Sequence, residues 1–131
     1  MKSAFPWLQM LAVAFGSAVG ALLRWAAGVW LNGTPVAGAI PLGTLLVNCV
    51  GGLLIGAALM AFEHTPNELL RLLLVTGFLG GLTTFSAFSG ESLFLLQRGE
   101  WAWAVAHTLL HVVGALGCAA LGYRLMAAWV G

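Results

Sequence analysis

Few side chains in this sequence can do chemistry, and those few recur at regular steps. Five Lys or Arg, four Asp or Glu and three His are spread over 131 residues. His107 and His111 stand one helical turn apart, a spacing at which two imidazoles can ligate zinc, but no third ligand lies at motif spacing from them. Asn48 sits inside an apolar run, and Gly80-Gly81-Leu82-Thr83-Thr84 interrupts another. Phe85 and Phe88 fall three residues apart, as do Ser86 and Ser89, and both pairs lead into Glu91. No nucleophile beside a base, no phosphate loop and no basic patch for nucleic acid is visible. That leaves transport of an ion or solute, or assembly alone, as the open classes.

The elements that must position these residues follow from composition. The chain is 61% hydrophobic and 7% charged, against roughly 25% charged in soluble domains, so its solvent is lipid. An uncharged apolar run of about 20 residues crosses a bilayer as a helix. Four such runs are present, at about 7–31, 41–62, 69–97 and 101–129, joined by short connectors such as Asn32-Gly33-Thr34-Pro35 and Glu63-His64-Thr65-Pro66-Asn67-Glu68. The expected fold is all-α and integral to the membrane, one transmembrane domain over residues 1–131 with its third helix broken. Lys2 ahead of an apolar stretch that ends in Gly16-Ser17-Ala18-Val19-Gly20-Ala21 imitates a secretory signal; its removal would leave three helices. Cys49 and Cys118 both fall in apolar runs, where a free thiol behaves as a small hydrophobe.

Small residues mark the packed faces. Gly16, Gly20, Arg24 and Gly28 recur every four residues on one side of the first helix, and Thr44, Asn48, Gly52 and Gly56 do so on the second. An Asn turned to lipid would leave its amide unsatisfied at a cost of several kcal/mol, so Asn48 faces protein, either as interhelical glue or as the lining of a polar path. A continuous helix from Leu69 to Gln97 would be about 43 Å long, well beyond a hydrocarbon core of about 30 Å. Gly80, Gly81, Thr83 and Thr84 are poor helix formers, and a break there frees carbonyls of the kind that transporters use to coordinate cations. The Phe pair, taken alone, reads first as packing, and the two His read as helix glue or as functional groups facing the interior.

Three segments resemble the motifs of one family. Gly77-Phe-Leu-Gly-Gly-Leu-Thr-Thr-Phe-Ser-Ala-Phe-Ser-Gly-Glu91 is similar to the signature of the Fluc/CrcB fluoride channels, Pro41-Leu-Gly-Thr-Leu-Leu-Val-Asn-Cys-Val-Gly-Gly52 to their second-helix motif and Gly20-Ala-Leu-Leu-Arg24 to their first. The resemblance spans nearly all of the chain and is weakest in the fourth helix. It implies a multi-pass protein of the bacterial inner membrane that forms a dual-topology, antiparallel homodimer and lets fluoride leave the cell passively. It also implies a structural Na+ at the centre, not transported, held by the backbone carbonyls of Gly80 and Thr83 from both subunits. By the same resemblance Asn48 is the pore amide that donates to fluoride and Phe85 and Phe88 line the path with their ring edges. Thr44, Ser86, Ser89, Glu91 and the polar face of the fourth helix continue that path, and Arg24 lies near a vestibule. His107 and His111 stand where the family commonly carries hydroxyl side chains, and Ala115 where some members carry Ser. A neutral imidazole N–H at His111 would serve as a donor in place of a hydroxyl.

Two rivals differ in class. A small dual-topology proton-coupled exporter has four helices and about this length, but it needs an acid deep in its first helix, and here the first acid is Glu63. A non-transporting assembly subunit explains the glycine stripes and leaves the helix break and Asn48 without a purpose. The cations give little directional bias: Lys2, Arg71 and Arg124 fall on the side of the termini, Arg98 and Arg24 opposite. Single cysteines placed at either terminus of a Cys-free variant should therefore be labelled in one fraction and protected in another when sealed vesicles are probed from one side. Uniform behaviour of the inserted population would exclude dual insertion.

Overall fold

The computed structural model describes residues 6–33 and 40–131; Lys2, Thr34 and Pro35 lie outside the described residues. Helix α1 is Trp7–Leu31 and α2 is Leu42–His64. The third crossing comprises α3, residues 68–82, and α4, Phe85–Gln97, and α5 is Trp101–Val130. With α3 and α4 taken together, four spans among the described residues are long and apolar enough to cross a membrane, with mean hydropathy from 1.6 to 2.2. Their outer faces carry bare Phe, Trp and Leu side chains such as Phe15, Trp25 and Leu116, as a lipid solvent allows.

α3 begins at Asn67, whose side chain accepts from the Leu70 N–H at 3.0 Å. One α-helical turn, Glu68–Arg71, opens into a wider π-helical stretch, Leu72–Leu79, before a last turn, Gly80–Leu82. The break is narrower than the Gly-Gly-Leu-Thr-Thr string suggests. Gly80 and Gly81 stay helical, and the chain becomes extended only at Thr83 (φ −83°, ψ 157°) and Thr84 (φ −150°, ψ 112°). Branching at Cβ suits Thr to extended backbone, while Gly81 serves a different need.

That need is close helix crossing. A Cβ on Gly81 would meet the Ser17 carbonyl and approach Ala21 N to 3.0 Å, and one on Gly77 would lie 2.9 Å from the Val13 carbonyl oxygen. From the other side, a Cβ on Gly16 would lie 2.7 Å from Phe78 N and one on Gly20 2.7 Å from Leu82 N. The glycine stripe of α1 thus packs backbone to backbone on a second stripe in α3. α2 and α5 meet in the same way, Gly52 against the Ala115 carbonyl, Gly56 against Ala119, and Gly122 of α5 against Leu53. Such contacts let helices associate in lipid by packing alone. Val47, Leu79 and Leu82 form a small buried core where these layers join, flanked by Ala27, Ile55 and Phe78.

α4 and α5 are joined by a tight turn in which Gly99 takes φ +72° and donates to the Leu96 carbonyl at 3.0 Å, and Glu100 N donates to Leu95 at 2.9 Å. The two helices therefore run antiparallel as neighbours. Gly20→Ala and Gly81→Ala should each destabilise the fold by about 1–3 kcal/mol, because the added methyl meets backbone that cannot yield. Gly117→Ala, where a Cβ meets nothing within 4 Å, should be neutral or mildly stabilising. Thermal unfolding of the detergent-solubilised variants distinguishes the two groups.

Candidate functional site

The broken third span is stitched by one side chain from α2. Thr84 N donates to Asn48 Oδ1 at 2.8 Å, and Asn48 Nδ2 donates to the Thr84 carbonyl at 3.1 Å. The carboxamide thus meets the Thr84 N–H, which no helix pairs, and adds a second donor to the carbonyl that starts α4. Thr84 in turn starts α4, its Oγ1 accepting from Ala87 N at 3.0 Å. Thr83 Oγ1 donates back to the Leu79 carbonyl at 2.8 Å, and Arg24 Nε donates to the Gly81 carbonyl at 3.0 Å.

The carbonyls of Gly80 and Thr83 are among those that lose their helical donors in this arrangement. Thr84 N would close on Gly80 in an unbroken helix but is taken by Asn48, and Ala87 N would close on Thr83 but is taken by Thr84 Oγ1. Both residues line a groove of about 510 Å³ that they share with Asn48, Phe85, Phe88 and His111. Phe85 lies at its open side, 79% exposed. Its ring centroid is 5.5 Å from that of Phe88, which lies 4.8 Å from the His111 ring and is stacked at 5.2 Å on His107.

A polar chain runs alongside. Asn32, at the C-terminal end of α1, accepts from Gly43 N at 2.7 Å and Thr44 N at 3.2 Å through Oδ1, capping the start of α2. Thr44 Oγ1 donates to Glu91 Oε2 at 2.7 Å, Glu91 Oε1 lies 3.1 Å from His107 Nε2, and His107 Nδ1 lies 2.9 Å from Ser92 Oγ. His107 is fully buried and His111 nearly so. His111 Nδ1 lies 3.0 Å from Asn48 Nδ2, while its Nε2 is buried with no hydrogen-bond partner among the described residues. One donor atom each from Glu91, His107 and His111 fall within 4.8 Å of one another. The sequence offered no third ligand beside the two His because Glu91 arrives from a different helix. A second concavity of about 320 Å³ is lined by Arg24, Asn32, Thr44 and Thr84, so Thr84 borders both.

The structure therefore brings together Asn48, Thr44, Phe85, Phe88, Glu91, His107, His111 and the carbonyls of Gly80 and Thr83. Ser86 lies at the rim, 3.2 Å from Thr84 Oγ1, and Ser89 is turned back on its own helix, donating to the Phe85 carbonyl at 2.8 Å. Arg24 reaches the break rather than the aromatic groove. Ser92 and Asn32 are the polar partners that sequence reasoning missed. Ser92 continues the three-residue step from Ser86 through Ser89, a signal that was there to follow; Asn32 sits in a connector and gave none.

This geometry coincides with a family signature over most of the chain. Residues 11–123 match the model of the CrcB-like proteins, described as camphor resistance (CrcB). The chain belongs to this family. Among CrcB relatives, one from Aromatoleum aromaticum is 54% identical over 123 residues, 92% of each chain, and is named a fluoride-specific ion channel. One from Polynucleobacter asymbioticus is 52% identical, covering 88% of this chain and 93% of its own, and one from Pseudomonas aeruginosa 50%, covering 88% and 91%; both carry the same name. Each is named as an ion channel rather than an enzyme. With four spans and this family, the chain is a multi-pass membrane protein.

Asn48→Ala should cost about 1–3 kcal/mol, since it leaves the Thr84 N–H without its partner at membrane depth. Unfolding in graded SDS would measure it, and a loss under 0.5 kcal/mol would show that Thr84 finds other partners.

Proposed function

We propose that this chain forms a fluoride-selective channel, working as an antiparallel homodimer through which cytoplasmic fluoride leaves passively. The observation that carries the reading is the groove at the broken helix, where freed carbonyls, an amide, two phenyl rings and the His111 imidazole meet on a face left open by a single chain. Relatives at about half identity that are named fluoride-specific channels support it.

The chemistry suits a small, strongly hydrated anion. A pore must replace its water with donors yet hold it weakly enough to release it. Phenyl edges carry partial positive charge without a proton donor, so Phe85 and Phe88 can attract fluoride without trapping it. Thr44, Asn48, Ser86, Ser89, Glu91, His107 and His111 are assigned to the polar path and Arg24 to its vestibule. A free cation in the path would act as a trap, and the Arg24 guanidinium is tied to the Gly81 carbonyl.

The Gly80 and Thr83 carbonyls fit a hard cation such as Na+, because both are neutral oxygens whose helical donors are diverted. One chain offers too few oxygens to replace a hydration shell, so a second copy must complete the set. Bound there, Na+ would hold two broken helices together as a fixed structural charge. Dual insertion supplies the second copy upside down, bringing the same open face against itself.

Purified protein in liposomes should release trapped fluoride and retain chloride, and absence of fluoride efflux would refute the reading. Phe85→Ile and Phe88→Ile should each slow efflux by about three- to tenfold, because the ring quadrupole is lost while volume is nearly kept. Unchanged efflux in both would return the rings to packing.

A further inference from the structure

Glu91 and His107 are joined in a way that fixes where each proton lies. Glu91 Oε2 accepts from the Thr44 hydroxyl at 2.7 Å, and Glu91 Oε1 lies 3.1 Å from His107 Nε2. An ionised carboxylate only accepts, so with Glu91 charged the imidazole proton sits on Nε2, and Nδ1 accepts from the Ser92 hydroxyl at 2.9 Å. In that state the pair carries one negative charge. A second proton can be taken up without breaking a contact, because it adds to Nδ1 while the Ser92 hydroxyl turns from donor to acceptor. The freed hydroxyl hydrogen can close on a carbonyl of its own helix, as Ser89 does with Phe85. The pair is then an imidazolium on a carboxylate, neutral overall.

His111 is not built to take that proton. Its Nδ1 lies 3.0 Å from the Asn48 amide nitrogen, which has only hydrogens to offer, so a second proton there would set donor against donor. Its ring is 4.6 Å from that of His107, and staying neutral it adds no repulsion to a charge on its neighbour. From α2 the pair meets only the Thr44 hydroxyl, and behind it the Asn32 amide of α1. Arg98 and Glu100 are paired with each other at 3.0 Å, and Arg24 is bound to the Gly81 carbonyl. The His107 side chain is fully covered, whereas that of Glu91 is 19% exposed and lines a concavity of about 540 Å³ together with Arg98 and Glu100. The Arg98 side chain is itself well exposed, so this concavity reaches the surface and puts the carboxylate within range of solvent protons.

We propose that Glu91 and His107 form a proton-binding site: uptake of one proton at His107 cancels the Glu91 charge beside the anion path and makes that path more permissive as the surroundings acidify. The inference rests on the fluoride-path reading and adds what controls it. A bare carboxylate on an anion's route repels it, and an ion pair of zero net charge does so far less. Acid also converts fluoride to hydrogen fluoride, which crosses lipid unaided, so the path would carry more under the condition that loads the cell.

The test pairs nitrogen-15 NMR of histidine-labelled protein in nanodiscs with fluoride efflux from liposomes, both followed from about pH 8 to about pH 5.5, where imidazole titrates. Protein-free liposomes at each pH subtract the escape of hydrogen fluoride, and His64→Asn and His111→Asn assign the signals. The parent should show His107 protonated at Nε2 alone at the upper end and at both nitrogens at the lower. Efflux should rise about three- to tenfold over the same interval, the scale of one charge acting across several ångströms. His107→Gln keeps a donor for Glu91 but does not titrate, and Glu91→Gln removes the charge that proton uptake cancels; each should flatten the profile. A His107 that stays singly protonated throughout, efflux that falls with acid, or a His107→Gln profile as steep as the parent's would each overturn the proposal. Should the Gln variants not fold, the parent spectrum and profile still decide. A His107 that gains its second proton in a protein passing no fluoride at any pH would overturn the channel reading and leave the proton site in place.

Discussion

The pairing of the Asn48 side chain with the Thr84 peptide is the interaction on which the rest of the site depends. Lipid offers no hydrogen bonds, so a helix that breaks at membrane depth must have its loose backbone groups met by protein. Asn48 meets the loose N–H of Thr84 and adds a second donor to its carbonyl. Because it diverts the Thr84 N–H, the Gly80 carbonyl is left without its helical donor. Because Thr84 is then free to begin a new helix, its hydroxyl takes the Ala87 N–H from Thr83. The break is thereby a defined structure and not a frayed one, and the phenyl rings that follow it have fixed positions.

Two backbone-to-backbone crossings hold Asn48 and Thr84 in reach of each other. α1 fixes α3 through Gly16, Gly20, Gly77 and Gly81, and α5 fixes α2 through Gly52, Gly56 and Gly122. Contacts of this type leave little room for side-chain adjustment, so a small polar group can be aimed within a fraction of an ångström. Arg24 adds a third tie, from α1 to the carbonyl of Gly81 just before the break.

Much of this was legible in the sequence because lipid imposes simple rules. Four apolar runs gave four spans, and the glycine and threonine cluster marked the third as broken. The stripes on α1 and α2 pointed to packed faces, though not to which helix each would meet. The break's position at Thr83 and Thr84 was not legible, since it is set by a residue 36 positions away in another helix. Nor was the tie from Glu91 to His107, because their equal spacing about Gly99 acquires meaning only once that glycine is known to turn one helix back against the other. Ser92 was within reach of the periodicity already noted; Asn32 was hidden in a connector whose polar residues look like ordinary turn formers.

The turn at Gly99 acts as a ruler. Glu91 lies eight residues before it and His107 eight after it, so in two antiparallel helices the pair comes level by symmetry about the hairpin. Each added residue at the turn would advance α5 by about 1.5 Å and rotate it by about 100°, carrying His107 and His111 together off the face that Glu91 and Phe88 present. The length of a three-residue loop at the membrane surface thus fixes the phase of a polar track buried well inside it, and drift in that length is closed to this chain even though its loop residues touch no part of the track.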